Sequence, residues 1–157
     1  MLENNHEKKP KKYAGILAHP TSFPSPYGIG DLGKGAYRFI DFLANSGLNL
    51  WQVLPLGHTG FGDSPYQPFS AFAGQPLIID LDALKEYKLL SEDDFTDMPE
   101  WDPVHIDYGT LITFKTKLLK LAYERFTDPD YEDGLSTDEE QMAAFASFKK
   151  DSSWLAD

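Results

Sequence analysis

The sequence predicts an α/β fold in which one strand–helix–strand unit is followed by a longer, mainly helical segment. Three observations carry that reading. Tyr13–Ala18 and Leu50–Leu54 are short apolar runs closed by prolines, the pattern of buried strands. Between them Ala36, Phe39, Ile40 and Leu43 recur on one helical face, and Gly47 is placed to stop the helix. Further on, Leu111, Phe114, Leu118, Leu121 and Ala122 keep helical spacing through a longer element expected over Thr110–Phe126.

Taken in order, strand, crossover helix and strand make one parallel βαβ unit. A Pro/Gly/Ser-rich loop, TSFPSPYGIGDLG, follows the first strand. A long irregular stretch, GHTGFGDSPYQPFSAFAGQP, follows the second, and irregular loops of that length inside a compact domain are usually functional. In parallel α/β folds ligands sit at the carboxyl ends of strands, so the loops His19–Gly33 and Pro55–Pro76 are expected on one functional face. Leu77–Leu81 reads as a short strand. Ser91 with Asp94, and Thr137 with Glu140, have the spacing of capping boxes, the second opening a last helix through Met142, Phe145 and Lys149. The closing DSSWLAD carries neither a Gly cap nor a Pro stop, so the chain is expected to end within or beside a helix.

Composition narrows the function classes. With 41% apolar and 14% aromatic residues the chain can build a core and does not have a disordered composition. It has no apolar run long enough to cross a membrane and no signal-peptide pattern at its start. The absence of cysteine excludes disulfides, a thiolate nucleophile and thiolate metal sites. A cytoplasmic location is the expectation, with a flexible basic tail over residues 1–12. The net charge of −11 arises entirely after residue 90, and an acidic half repels nucleic acid and anionic lipid, so neither is an expected partner.

Two short motifs fail on context. Gly28–Gly33 spells G-x-G-x-x-G, but nine residues separate it from the strand and no acidic residue ends the second strand to hold a ribose. Its glycines read as turn residues. Asp128–Glu139 approaches a calcium loop, yet Asp133 stands where the sharp turn needs glycine. The histidines His6, His19, His58 and His105 have no metal-ligand spacing, and neither a metal nor a cofactor is expected. The stronger candidate is the long loop. Around Asp63-Ser64-Pro65-Tyr66 it sets an aromatic ring beside carboxylate and hydroxyl groups, the surface that suits a sugar's C–H face and hydroxyl rim. Phe69 and Phe72, in FSAFAG, are expected to anchor the loop on the core.

The run LAHPTSFPSPYGIGDLG, then LWQVLPLGHTGFGDSPYQPFSAFAGQPLIIDL, resembles the N-terminal portion of the amylomaltase-type 4-α-glucanotransferases. The resemblance is dense from Tyr13 to about Leu90 and thinner beyond, where Ile106–Gly109 and the closing SWLAD still match. It implies the N-terminal part of a (β/α)8 barrel: residues 13–76 as the first βαβ unit with an active-site loop, residues 77–157 as an inserted, acidic, mainly helical segment. It implies transfer of α-1,4-glucan segments between maltooligosaccharides by a retaining mechanism, which needs two carboxyl groups. In the family these lie downstream of the matched region, so the resemblance implies a truncated chain without catalytic residues, inactive alone. Ser64 and Tyr66 match loop positions that contact sugar, with Asp63 beside them. Some relatives have tyrosine where Phe61 stands and another tyrosine near Ile112, together forming an outer glucan site. Phe61 keeps only the stacking surface and Ile112 neither function. A stand-alone maltooligosaccharide-binding module and a non-functional remnant are the alternatives, and unfinished barrel edges imply self-association.

Overall fold

The computed structural model describes residues 12–58, 70, 72–131 and 139–156. The expected front unit is present. Strand β1 (Gly15–Leu17) leads through a loop into helix α1 (Lys34–Asn45), and strand β2 (Leu50–Gln52) returns parallel to β1. Gly15, Ile16 and Leu17 pair with Leu50, Trp51 and Gln52, and the Ala18 N–H adds one more bond to the Gln52 carbonyl at 3.0 Å. Helix α1 ends as its sequence demands. Gly47 takes φ +71°, its N–H bonds the Ala44 carbonyl, and the Leu48 N–H bonds the Leu43 carbonyl, which together are a Schellman closure.

The strands correct the expectation of burial. Leu17 and Leu50 are 55% and 51% exposed, and only Ile16 and Trp51 turn inward. The described sheet has two strands, so each strand has one hydrogen-bonded neighbour and an unpaired edge.

The core lies elsewhere, under the helical half. Helix α2 (Leu81–Glu86) and helix α3 (Tyr108–Thr127) bury Leu81, Leu89, Leu90, Phe114, Leu118 and Ala122 around Tyr27, which comes from the first loop. A second cluster joins Ile29, Leu77 and Leu111, with Trp101 packed against both. Full burial of a leucine contributes about 1.5–3 kcal/mol, so Leu81, Leu111 and Leu118, all fully buried, are its heaviest contributors.

Leu77–Leu81 is not a strand. Pro76–Ile78 forms a 3-10 turn with Pro at its start and the Gln75 side chain accepting from the Leu77 N–H, and Asp80 then caps α2 by accepting from Asp82 N–H at 2.9 Å. Ser91 and Asp94 form the expected capping box, on a 3-10 turn at Glu92–Phe95. Asp107 caps α3. Helix α4 (Glu139–Asp151) follows, with Phe145 set edge-on to Phe126 at 5.2 Å. It ends at Asp151 before a 3-10 turn at Ser153–Ala156. Thr137, of the second expected capping box, lies outside the described residues, as do residues 132–138 of the acidic loop. No described helix is long and apolar enough to cross a membrane.

Candidate functional site

The loops after the two strands meet at the strands' carboxyl ends. The first begins at His19, which caps the 3-10 turn Pro20–Ser22: its Nδ1 lies 2.8 Å from Thr21 Oγ1 and accepts from the Thr21 N–H at 3.4 Å. An accepting Nδ1 leaves the proton of the neutral ring on Nε2. That nitrogen is buried and has no hydrogen-bond partner among the described residues. Phe23 then fixes the loop in an aromatic triad with Phe39 of α1 and Trp51 of β2, ring centroids 5.1–5.7 Å apart. The Trp51 indole donates to the Ala18 carbonyl at 2.7 Å, tying the two strand ends together.

The second loop has a defined stem. Gly57 and Gly74 form an antiparallel bridge, and the Gln75 N–H donates to the Leu56 carbonyl at 2.7 Å. Ser70 Oγ accepts from the Phe72 and Ala73 N–H groups, both at 3.1 Å. Between the two loops lies a cavity of about 250 Å³. His19, Thr21 and Ser22 line it from the first loop, Leu54 to Gly57 from the second, and Ile29, Gln75 and Tyr108 complete it. A smaller cavity of about 230 Å³ under the stem shares Pro55, Leu56 and Gly57. A wider groove of about 780 Å³ joins the first cavity at Thr21, Ser22 and Ile29 and runs to Trp101 and His105.

The chemistry of this lining is specific. Hydroxyl, imidazole, amide and phenol groups stand among apolar walls, which suits a neutral ligand rich in hydroxyls. None of the described residues that line the strand-end cavity is a carboxylate. Among the described residues no group of three or more His, Asp or Glu is arranged to hold a metal ion.

Of the residues singled out by sequence, Phe61, Asp63, Ser64, Tyr66 and Phe69 lie outside the described residues. The described chain stops at His58 and resumes at Ser70, which lines the smaller cavity. Phe72 is not a core anchor. It is 73% exposed and stacks on Trp154 at 6.4 Å, because the Gly57–Gly74 bridge turns the chain at the surface. Ile112 is exposed on the first half of α3. The G-x-G-x-x-G glycines serve packing: a Cβ on Gly28 would meet the Trp101 ring at 2.5 Å, and one on Gly30 the Pro20 carbonyl oxygen at 2.2 Å.

Sequence reasoning missed Tyr108, Gln75 and above all Lys115. Gln75 lines the cavity from the end of the second loop and Tyr108 from the start of α3, remote from either strand, and no local pattern announces them. Lys115 had a signal. It falls on the apolar stripe of α3 between Phe114 and Leu118, where a lysine is out of place unless its charge is held.

The 4-alpha-glucanotransferase family model matches residues 18–157. The 4-alpha-glucanotransferase of Synechocystis sp. is 44% identical over 94% of this chain, and that of Clostridium butyricum 46% identical over 88%. The structure of amylomaltase from Streptococcus agalactiae in complex with acarbose superposes on 92% of the chain with a TM-score of 0.78 at 36% identity. The chain spans 28%, 27% and 28% of these three proteins' own lengths. Sequence family, identity and superposition agree on one conclusion: this chain belongs to the 4-alpha-glucanotransferase family.

Proposed function

We propose that the strand-end cavity and the loop standing on the Gly57–Gly74 stem form one wall of an α-1,4-glucan groove in a 4-α-glucanotransferase. One observation carries this reading. In a chain of that family, the loops after both parallel strands converge on one cavity whose described lining sets hydroxyl, imidazole, amide and phenol groups among apolar walls and holds no carboxylate, lysine or arginine. A glucan offers hydroxyls and apolar C–H faces and no charge, so such a wall suits it. The buried Nε2 of His19 supports the reading, as a donor without a protein partner among the described residues. Asp63, Ser64 and Tyr66 are assigned to substrate contact, and Phe61 to stacking without a hydrogen bond. Acarbose, bound by the Streptococcus agalactiae relative, is a ligand to test on this chain.

The β1–α1–β2 unit is taken as the opening of a (β/α)8 barrel, with residues 77–157 as a mainly helical insertion. The parallel register and the superposition support that division. Glucan transfer belongs to the whole barrel, since retaining chemistry needs a carboxylate nucleophile and an acid facing the same bond. This chain contributes binding surface to that reaction.

Calorimetric titration tests the proposal. Maltoheptaose is expected to bind the chain and cellohexaose, a β-linked glucan one unit shorter, is not. Tyr66→Ala should weaken maltoheptaose at least tenfold. Equal binding of both sugars, or of neither, overturns the assignment. Incubated with maltotriose, the chain should release no glucose above a heat-killed control.

A further inference from the structure

Lys115 is the one fully buried lysine among the described residues, and its surroundings are unusual. Its ammonium leaves the apolar stripe of α3 and donates to the carbonyls of Leu77 at 2.7 Å and Ile79 at 3.0 Å. The carbonyl between them, of Ile78, accepts the Leu32 N–H of the first loop at 3.0 Å. Three successive carbonyls are therefore held by groups from two remote segments. Directly upstream, the Gln75 N–H closes the stem of the second loop on Leu56. The segment Gln75–Ile79 thus joins both strand-end loops to α3.

The charges nearby are arranged around the same point. Asp31 is buried, accepting from Ser25 Oγ at 2.9 Å and from the Gly33 N–H at 3.0 Å. Asp80 caps α2, and a Cβ on Gly33 would lie 2.5 Å from its carboxyl. Both carboxylates favour the charged lysine, while burial opposes it and pushes Lys115 down to about 8. It remains protonated at neutral pH. Burying an ammonium is costly unless it is paired and hydrogen-bonded, and Coulomb attraction to Asp31 and Asp80 with two carbonyl bonds supplies that compensation. A methionine would fill the same apolar stripe without the cost, so packing alone does not explain a lysine here.

We infer that Lys115 is a positioning residue for the glucan wall, its ammonium locking Gln75–Ile79 and through it the Gly57–Gly74 stem. The inference rests on the glucan reading for its functional half. Its mechanical half is independent. The helical segment then has a task at the strand ends: α3 carries the pin that sets the spacing of the two loops across the cavity.

Amide exchange and sugar binding on the 157-residue chain test this together. In Lys115→Met, exchange at Gln75 and Leu32 should accelerate at least tenfold. The Leu48 amide, which closes α1 away from the pin, should exchange as in the wild type. Maltoheptaose affinity should fall at least tenfold in the same variant. Because the chain has no cysteine, Lys115→Cys can be alkylated with 2-bromoethylamine while unfolded and then refolded, which restores an ammonium at that point. This product should recover wild-type exchange and affinity to within about threefold. Should Lys115→Met not fold, Lys115→Arg, which keeps charge but changes reach, takes its place with the same readouts. Unchanged protection at Gln75, loosening of Leu48 in step with it, or failure of the restored ammonium to recover affinity would each overturn the inference. If the wild-type chain binds no maltoheptaose, the glucan reading falls, and the exchange data still judge the pin by itself.

Discussion

Two charged residues show how burial decides what a side chain contributes. Arg125 of α3 makes a two-pronged pair with Asp94, at 2.6 and 3.0 Å, and also donates to the Leu89 carbonyl. Asp94 at the same time closes the capping box with Ser91. The guanidinium first, and then the Ser91 bonds, hold its carboxyl below the usual carboxylate range. The folded chain releases that proton more readily than the unfolded one, so the contribution is complete above the ordinary value of 3.8 and is lost as pH falls through the lower folded value. Asp94→Ala should cost about 2 kcal/mol at neutral pH, because it leaves a half-buried guanidinium without its carboxylate, and much less in acid. Urea melts at pH 7 and pH 3 measure both. Lys115 has the opposite sign. Its folded value of about 8 lies below the ordinary 10.5, so between those pH values the unfolded chain holds a proton that the folded chain has shed. Stability should rise through that window, by up to about 3 kcal/mol, while the neutral amine still donates to both carbonyls. The difference between wild-type and Lys115→Met melts at pH 7.5 and pH 10 isolates this contribution, since Tyr27, which burial pushes up to about 12, is common to both proteins.

Among the elements, loops and turns were less legible than helices. The extents of α1 and α3 followed from spacing and stop signals because a helix writes its period into its own residues. Leu77–Leu81 read as a strand because Leu-Ile-Ile-Asp-Leu is apolar and β-branched, and nothing in those residues reveals that Lys115, over 30 positions away, would take their carbonyls. Phe72 misled for a related reason: an apolar neighbourhood in sequence does not say which way a loop faces. Two glycines with positive φ separate conformation from contact. Gly47 has open space where a Cβ would stand, so Gly47→Ala should cost only the left-handed backbone, about 1 kcal/mol. Gly28, at φ +78°, also has the Trp101 ring in the way, so Gly28→Ala should cost more than Gly47→Ala and perturb the near-ultraviolet signal of the tryptophan. Thermal melts of the two variants side by side check the order.

In the whole molecule the core and the sheet are displaced from each other. The buried clusters knit the first loop to α2 and α3, while Leu17, Leu50, Ile40 and Phe42 remain exposed around the two-stranded sheet and the outer side of α1. Unpaired parallel edges with exposed apolar residues favour association. Sedimentation of the chain should therefore show concentration-dependent self-association, and Leu17→Lys with Leu50→Lys should return it to a monomer. A monomer at every concentration would mean that the strand edges are protected.

The sequence by itself determined the α/β class, the order strand–helix–strand, the extents of the long helices and the family. Each of these is written locally, in hydrophobic period, in stop residues or in an ungapped motif. Only the tertiary structure decided that the core would sit under the helical half and that the two strand-end loops would share a cavity with Gln75 and Tyr108. It also decided that a lysine on an apolar stripe would pin the segment between them. Those facts depend on which carbonyls and carboxylates approach one buried charge, and such an encounter is settled by long-range packing, not by any residue's neighbours in the chain.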